Sequence, residues 1–170
     1  MNKVLDNYLC EKYPRIFVER GLSTTKSCMG RGFECGNGWF LLLVTMCDRI
    51  QSYIDSSNSF PSVGKNPIPQ FVAQQVKEKF GGLRIYYVGG DVYTAGLVSM
   101  TETMSYHSCE ICGKAGVLEV GHTEGWIQSV CKECAIKSKR EINFDNELTK
   151  LLAKAISDDN KEIFDFYANR

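Results

Sequence analysis

Apolar side chains recur at steps of three and four residues between residues 39 and 54, which is the spacing of one face of an α-helix. We therefore predict a helix over about residues 38–55. Its core-facing side consists of the residues of this repeat: Trp39, Leu42, Leu43, Met46, Cys47, Ile50 and Ile54. Residues 56–70 follow as a predicted loop, because this stretch contains three of the four prolines.

Weaker periodic patterns predict helices on either side of this segment. One covers residues 2–12 and ends before Pro14, because proline cannot continue a helix. Another covers residues 91–106, where Asp91 can cap the first turn. Its apolar stripe consists of Tyr93, Leu97, Met100 and Met104. Residues 21–38 are rich in Gly, Ser, Thr and Cys, which predicts irregular structure.

Residues 141–170 are predicted to form a helical tail. The apolar face of this tail contains Leu148, Leu151, Leu152, Ala155 and Ile156, and Ile163, Phe164 and Tyr167 continue it.

Residues 71–88 alternate between apolar and polar side chains around Gly81-Gly82, which indicates a β-hairpin. A two-residue Gly-Gly turn would place Phe80 opposite Leu83 and Lys79 opposite Arg84. One face would then be apolar except for Glu78, which would need a partner such as an arginine from the N-terminal segment. The other face would carry Gln75, Lys77, Lys79, Arg84 and Tyr86.

The composition predicts a folded protein without a membrane span. The chain has 170 residues, of which 44% are apolar, and this supports a core rather than disorder. No apolar run approaches the roughly 18 residues that span a bilayer. The N-terminus does not have the apolar region of a secretory signal, so we expect a soluble, cytoplasmic protein. The net charge is zero, with +4 on residues 1–90 and −4 on residues 91–170, so nucleic-acid binding would have to be local.

Two Cys-x-x-Cys pairs are the clearest chemical motif. Cys109 and Cys112 form the first, Cys131 and Cys134 the second, and eighteen residues separate them. Gly113 follows the first pair and predicts a left-handed turn that points backbone amides at the sulfurs. This spacing is typical of a zinc site, because two short turns brought face to face supply four ligands in tetrahedral geometry. A site closed by four cysteines has no position for water or substrate, so we predict bound Zn²⁺ with a structural role.

Other cysteines and histidines leave alternatives open. His107 and His122 lie near enough in sequence to replace a cysteine as ligand. The remaining cysteines fit no familiar ligand spacing and are predicted to be ordinary thiols: Cys10, Cys28, Cys35 and Cys47. A Cys28–Cys35 disulfide and a second metal site are the alternatives.

Together these patterns predict an α+β protein. Helices pack on a β-hairpin or a small antiparallel sheet, and a zinc ribbon or knuckle is fused to this core. We expect an α+β core over residues 1–106, a zinc knuckle over 107–140 and the helical tail over 141–170, all within one compact unit.

The cysteine pairs and His122 resemble those of cysteine-containing HNH nucleases. That family has an acidic residue or His before the central His, an Asn within the motif and a His directly after the last cysteine pair. Here Gly121 precedes His122, no Asn lies between His122 and Cys131, and Ala135 follows the last pair. Only the general base is present, and without a catalytic metal it loses its main electrostatic support. A degenerate metal-dependent nuclease is therefore an alternative and not the main prediction.

The charged face of the predicted hairpin is the second candidate for function. Lys79 opposite Arg84, with Lys77 beside them, places like charges across a strand pair, which is unfavourable unless an anion or carboxylate lies between them. Tyr86 adds an aromatic surface. This face is predicted to bind an acidic partner protein or, alternatively, nucleic acid. A solvated outer face without a partner is the other interpretation.

Three sequence motifs within residues 30–135 occur together. They are Cys35-Gly-Asn-Gly-Trp39, the hairpin sequence over residues 75–86, and the two cysteine pairs with Gly125-Trp126 before the second. The combination resembles a family of short, uncharacterised bacterial and bacteriophage proteins with a VKEKFGGLR hairpin and a zinc knuckle. Its last ligand is often His, whereas here it is Cys134. The resemblance implies architecture and a bacterial or phage setting, and it carries no assigned activity.

We therefore expect a non-enzymatic, zinc-stabilised interaction protein. A protein partner is favoured, and a phage protein of this kind would act on a host protein such as one of antiviral defence. The predicted partner-binding residues are Lys77, Lys79, Arg84, Tyr86 and His122. Nucleic-acid binding and degenerate nuclease activity are the alternatives.

Overall fold

The computed structural model of the protein describes residues 1–60, 66–114, 119–123, 126–138 and 141–143. The helices in these ranges are α1 (Lys3–Lys12), α2 (Phe40–Ser59), α3 (Val92–Ser105) and α4 (Lys132–Lys137). The strands are β1 (Phe33–Glu34), β2 (Val72–Lys79), β3 (Gly82–Val88), β4 (Glu119–Thr123), β5 (Trp126–Val130) and β6 (Glu141–Asn143). Apart from β6, the predicted helical tail lies outside the described residues.

The strands form two small sheets. The first has the order β1-β2-β3, in which β1 is parallel to β2 and β2 is antiparallel to β3. The second has the order β5-β4-β6 and is antiparallel throughout. A three-stranded sheet packed by helices, together with a cluster of four cysteines, confirms the predicted α+β class. The short strand β1 lies in the segment that was predicted to be irregular.

Helix α2 is the main helix of the core, and its predicted inner face is confirmed. Trp39, Leu43, Cys47 and Ile50 are fully buried there, and Leu42 is partly buried. The helix continues beyond the predicted end to Ser59, where it meets the proline-containing loop. None of the helices in the described ranges is both long and apolar enough to cross a lipid bilayer.

The segment between α1 and β1 completes the core, although it has little regular structure. Its apolar side chains pack in the core with α2 and the first sheet, together with Phe33 of β1: Tyr13, Ile16, Phe17 and Met29. The guanidinium of Arg20 donates hydrogen bonds to both oxygens of the buried Asp6 carboxylate, at 3.0 and 2.8 Å. This ion pair joins the segment to α1, because a buried carboxylate needs charged or hydrogen-bonding partners.

Helix α3 begins as predicted, but a different face of it is buried. The Asp91 carboxylate accepts hydrogen bonds from the N–H groups of Tyr93 and Thr94, and Thr94 Oγ1 accepts one from the Asp91 N–H, which completes a capping box. The buried positions are Thr94, Val98, Thr101 and Ser105. Of the predicted stripe, Leu97 is partly buried against the core, whereas Tyr93, Met100 and Met104 are exposed.

The reason for this difference is the position of α3 beside the edge strand β3. Ser105 Oγ accepts a hydrogen bond from the Leu83 N–H, and Glu102 Oε1 accepts one from the Ile85 N–H, each at 2.8 Å. The outer edge of a sheet has unpaired N–H groups that need acceptors. Several polar side chains of α3 therefore face inward, and the two methionines Met100 and Met104 are exposed.

The hairpin between β2 and β3 is present, but its turn lies one residue earlier than predicted, so each residue near the turn in β2 pairs two positions earlier along β3. Phe80 and Gly81 form the turn, with φ angles of 54° and 76°, and Gly82 belongs to β3 opposite Lys79. Lys77 therefore lies opposite Arg84, where Lys79 had been predicted. An irregularity between Ala73 and Gln75 shifts the register again near the start of β2.

Two contacts explain why Phe80 adopts a left-handed conformation that is unusual for a bulky residue. Glu78 Oε1 accepts a 2.7 Å hydrogen bond from the Gly81 N–H, which fixes the turn. Glu78 thus has a backbone partner and not the predicted arginine. Gly82 is needed in the strand, because a Cβ there would lie 2.4 Å from the ring of Tyr106.

Candidate metal site and outer face of the hairpin

The four cysteines of the two pairs come together in one cluster. The sulfur atoms of Cys109, Cys112, Cys131 and Cys134 all lie within 4.8 Å of one another, and the Cys112 and Cys131 sulfurs are 3.7 Å apart. Tetrahedral thiolates at 2.3 Å from a metal have sulfur atoms about 3.8 Å apart. The spacing and the donor atoms therefore fit a four-coordinate metal ion.

Local backbone structure forms the first half of this cluster. Gly113 has a φ angle of 77°, and its N–H donates a 2.8 Å hydrogen bond to the Cys109 carbonyl. Cys109 in turn donates its N–H to the Lys114 carbonyl at 3.1 Å. These bonds confirm the left-handed turn predicted after the first pair, and only glycine adopts this conformation without strain.

The thiols of the cluster differ in their environment. A hydrogen bond from the Lys114 backbone lowers the pKa of Cys112, which favours the thiolate that metals bind. Burial raises the pKa of Cys131 to about 11 and also raises that of Cys134. A metal that binds here would therefore displace protons from the thiols of the second pair.

An exposed ion pair connects the two halves of the cluster. Lys114, next to the first cysteine pair, contacts Glu133 within the second pair at 2.9 Å. The hydrogen bond from Lys114 is the main cause that lowers the pKa of Glu133 to about 2. Both side chains are exposed, so this pair contributes little to stability compared with the ligands themselves.

The segment at the first cysteine pair, from Ser108 to Glu110, is hydrogen bonded to the core. The buried Glu110 accepts from the Gly38 N–H through its carbonyl at 2.7 Å and from the Gly36 N–H through its carboxylate at 2.9 Å. Trp39 Nε1 donates to the Ser108 carbonyl at 3.0 Å. A Cβ at Gly38 would lie only 2.0 Å from the Cys109 carbonyl oxygen. The glycines before α2 therefore form a contact surface for the cysteine segment.

A second contact joins the cluster to the hairpin. Ser129 in β5 donates a 2.6 Å hydrogen bond from its hydroxyl to the Gly81 carbonyl in the turn. The same residue accepts the Glu110 N–H at its carbonyl oxygen, at 2.8 Å. Ser129 is buried, and it links the cysteine segment, strand β5 and the hairpin turn.

Neither histidine is a member of the four-cysteine group found among the described residues. His107 is exposed just beyond the end of α3. His122 lies in β4, where it is paired with Ile127 of β5 on one side and with Glu141 of β6 on the other. The role predicted for His122 in partner binding stays a prediction.

The remaining four cysteines are free thiols, which agrees with the main prediction for them. Cys28 is exposed and Cys35 is buried, and no disulfide joins them. Burial raises the pKa of Cys35 to about 12 and also raises that of Cys47, so both stay protonated at neutral pH. They pack in the core as small apolar side chains.

The predicted polar residues of the hairpin do share one face of the sheet. Alternation and register place the following residues on what we call the outer face: Gln75, Lys77, Lys79, Gly82, Arg84 and Tyr86. Within the described part of the chain, Lys77, Lys79 and Arg84 take part in no salt bridge. Three positive charges are therefore collected on this face.

One carboxylate lies beside this face. Glu34 of β1 is the register partner of Lys77. Its side chain is already engaged, because it accepts a 3.0 Å hydrogen bond from Gln75 Nε2 and lies 3.9 Å from Arg31. It reduces the positive potential at this side of the face without pairing directly with Lys77.

Sequence reasoning did not identify Tyr106 as part of the outer face. The ring of Tyr106 packs over Gly82, and its hydroxyl accepts a hydrogen bond from the Arg84 guanidinium. The centre of the guanidinium lies 5.5 Å from the centroid of the ring. The signal in the sequence was the second glycine of Gly81-Gly82, which leaves room for a ring, although it does not say which ring enters.

No protein-family model, curated protein or solved structure shows significant similarity to this chain. The resemblance to an uncharacterised bacterial and phage family, and the setting that it implies, therefore stay predictions. Any function has to be supported by the four-cysteine cluster and by the outer face of the hairpin themselves.

Proposed function

We propose that this is a non-enzymatic binding protein, stabilised by Zn²⁺, that holds an anionic partner on the outer face of its hairpin. The observation that carries this proposal is the collection of Lys77, Lys79 and Arg84 on one face without a salt bridge among the described residues. Lys77 and Arg84 lie directly opposite each other. Like charges in this position are unfavourable in the free protein, and an anion would relieve their repulsion.

Zinc is the metal that the donor set favours. Four thiolates in a tetrahedral arrangement are typical of structural zinc sites, whereas oxygen ligands suit Mg²⁺ and Ca²⁺. Elemental analysis of the purified protein is expected to find one zinc per chain, and Cys109→Ser should reduce it strongly. Iron, or no metal at all, would contradict this assignment.

The absence of catalysis is the second part of the proposal. Four protein ligands would leave no open position on the metal for water or substrate. The places that would complete an HNH nuclease hold Gly121 and Ala135, which provide no ligand. Cleavage of single- and double-stranded DNA and RNA is therefore expected to be the same for the parent and His122→Ala, with Mg²⁺, Mn²⁺ or Zn²⁺ present. Cleavage that depends on His122 would favour the nuclease alternative.

Retention on heparin tests the anion-binding surface without assuming a natural partner. At low ionic strength the parent should be retained, and Lys77→Glu/Arg84→Glu should elute at clearly lower salt. A matched control is Lys3→Glu/Lys26→Glu, which makes the same change in net charge at exposed lysines outside the hairpin. Equal elution of both double variants would mean that the outer face is not the binding surface.

An acidic protein, such as a host defence component bound by a phage protein, is the partner that the sequence predicted, and it is one of the anionic partners that this proposal allows. An acidic protein surface fits the charges of the outer face. Capture experiments in a bacterial host should then recover a partner that is lost with Lys77→Glu/Arg84→Glu and kept with Lys3→Glu/Lys26→Glu.

A further inference from the structure

Exposed aromatic rings lie beside the positive charges of the outer face: Tyr86 on the face itself, Tyr106 over Gly82 and Phe80 in the turn. Each cation lies over one ring: Lys77 Nζ is 5.2 Å from the centroid of Tyr86, and Lys79 Nζ is 5.3 Å from that of Phe80. The third pair is Arg84 with Tyr106, at 5.5 Å. These distances are within the range of cation–π attraction. Cations and rings are therefore combined in every part of this surface.

The register gives the order of these groups along the face. Tyr86 lies at one side with Lys77 over its ring, and Lys77 pairs across the strands with Arg84. Arg84 lies over Tyr106, whose ring covers Gly82. Gly82 pairs across the strands with Lys79, which lies over Phe80 at the turn. The result is a row along the outer face and the turn that contains three cations and three aromatic rings.

The rings are accessible to a partner. Phe80 is 69% exposed, Tyr86 45% and Tyr106 36%. Phe80 is held at the turn in a left-handed conformation, which is unfavourable for a bulky residue. An asparagine would suit this position better, since Asn-Gly is a preferred sequence for such hairpin turns. The local fold alone therefore does not explain why an aromatic side chain occupies this position.

These observations favour one class of anionic partner. An acidic protein surface needs positive charge but makes no particular use of exposed ring faces. A single-stranded nucleic acid uses both, because its phosphates pair with cations and its unpaired bases stack on aromatic side chains. In a duplex the base faces are stacked on each other and are not available to the rings.

We propose that the outer face of the hairpin binds single-stranded nucleic acid. Tyr86, Tyr106 and Phe80 stack with bases, and Lys77, Arg84 and Lys79 pair with phosphates. Three rings in a row correspond to a short site of about 3–4 nucleotides. Stacking uses the ring face that every base has, so binding is expected to be tolerant of sequence. This inference rests on the proposed anion-binding function and names its partner.

Fluorescence anisotropy with a fluorescein-labelled oligothymidine of about 12 nucleotides tests the inference. The parent is expected to bind, and a plot of log K against log salt should have a slope of about −2, from three phosphate contacts on a single strand. Tyr86→Leu should weaken binding by about tenfold or more. Tyr8→Leu is the matched control, because Tyr8 is 46% exposed on α1, away from the hairpin, and it should leave binding unchanged.

Phe80→Asn is the most informative variant, because it separates binding from folding. The Asn-Gly turn that it creates should be at least as stable as the parent turn. Its affinity for oligothymidine should nevertheless fall about tenfold, because one stacking ring is lost. A loss of affinity together with an unchanged or higher melting temperature cannot be explained by unfolding.

Each outcome supports or overturns the inference. It is overturned if Tyr86→Leu and Phe80→Asn bind oligothymidine like the parent, or if a duplex of the same length binds as tightly as the single strand. It is also overturned if oligothymidine does not bind while retention on heparin still depends on Lys77 and Arg84; the proposed anion-binding function then stands, and an acidic protein becomes the partner. If oligothymidine does not bind and retention on heparin does not depend on Lys77 and Arg84 either, both proposals are overturned.

Discussion

The hydroxyl of Ser129 donates a 2.6 Å hydrogen bond to the carbonyl of Gly81, and this bond connects the cysteine cluster to the turn of the hairpin. The two residues are 48 positions apart in the chain. A Cβ on Gly81 would lie 3.0 Å from a methyl carbon of Ile127, so strand β5 packs closely against the turn. Strand β5, which leads into the second cysteine pair, is thus in direct contact with the hairpin turn.

Removal of the Ser129 hydroxyl is expected to destabilise the protein. Ser129→Ala leaves a buried carbonyl without its donor, which costs about 1–3 kcal/mol. The matched control is Ser138→Ala, which removes a hydroxyl that donates to the Cys134 carbonyl on the exposed side of α4. Its effect should stay within about 0.5 kcal/mol. Urea unfolding of both variants measures the difference, and equal losses would contradict a special role for Ser129.

Removal of the metal is expected to weaken binding at the hairpin as well as folding of the cysteine segment. A chelator should lower the melting temperature, because the binding energy of a structural metal is part of the folding energy. Retention on heparin should fall in parallel, since Ser129 and Ile127 would no longer hold the turn. Binding by the metal-free protein that equals that of the metal-loaded protein would show that the two sites are independent.

Two glycines are expected to respond in opposite directions to the same substitution. Gly38→Ala should destabilise by about 2 kcal/mol or more, because the added Cβ would overlap the Cys109 carbonyl at 2.0 Å, a backbone atom that has little freedom to move. Gly96→Ala, in the middle of α3, meets nothing within 4 Å. It should stabilise by about 0.5–1 kcal/mol, because alanine is the better helix former. Thermal unfolding of the two variants tests both signs.

The carboxylate of Asp91 is expected to make stability depend on pH in the acid range. Partial burial raises its pKa, but hydrogen bonds from the Tyr53 hydroxyl and from the N–H groups of Thr94 and Tyr93 outweigh this effect, and the pKa lies below its usual value. Because the folded pKa is depressed, the stabilisation is fully present above the unfolded value of about 3.9. It is lost as the pH falls through the folded pKa.

Asp91→Asn tests this dependence, because asparagine keeps the N-cap acceptor and removes the charge. The variant should be less stable than the parent by about 1 kcal/mol at pH 7. The difference between the two should shrink as the pH falls below about 4. Loss of metal in acid affects both proteins equally, so the difference is the quantity to measure. A difference that does not change with pH would exclude this role of the charge.

The regular parts of the fold could be predicted because local signals decide them. The apolar repeat of α2, the Asp91 cap and the Gly113 turn each depend on residues within a few positions of one another. The four-cysteine cluster was predictable for a related reason, because the ligand types and their spacing strongly restrict the site that they can form.

The hairpin register shows where this reasoning fails. Gly81-Gly82 suggested a two-glycine turn. In the structure Gly82 lies in β3, where only a residue without a side chain leaves room for the Tyr106 ring, and Phe80 and Gly81 form the turn. In α3, Ser105 and Glu102 face inward because β3 needs hydrogen-bond acceptors at its edge. Both outcomes depend on residues about 20 positions away, and a periodic pattern in one element contains no information on its neighbour.

The class of fold, the core face of α2 and the four candidate metal ligands could be predicted, because they follow from short-range spacing and from the chemistry of the side chains. Three relationships could be found only in the folded protein: Lys77 pairs with Arg84, Tyr106 packs against the outer face, and Ser129 connects the hairpin turn to the cysteine cluster. These relationships arise where distant segments pack closely together. There the space beside a glycine, or a buried polar group that needs a hydrogen-bond partner, favours one arrangement among several that the local sequence pattern would allow equally well.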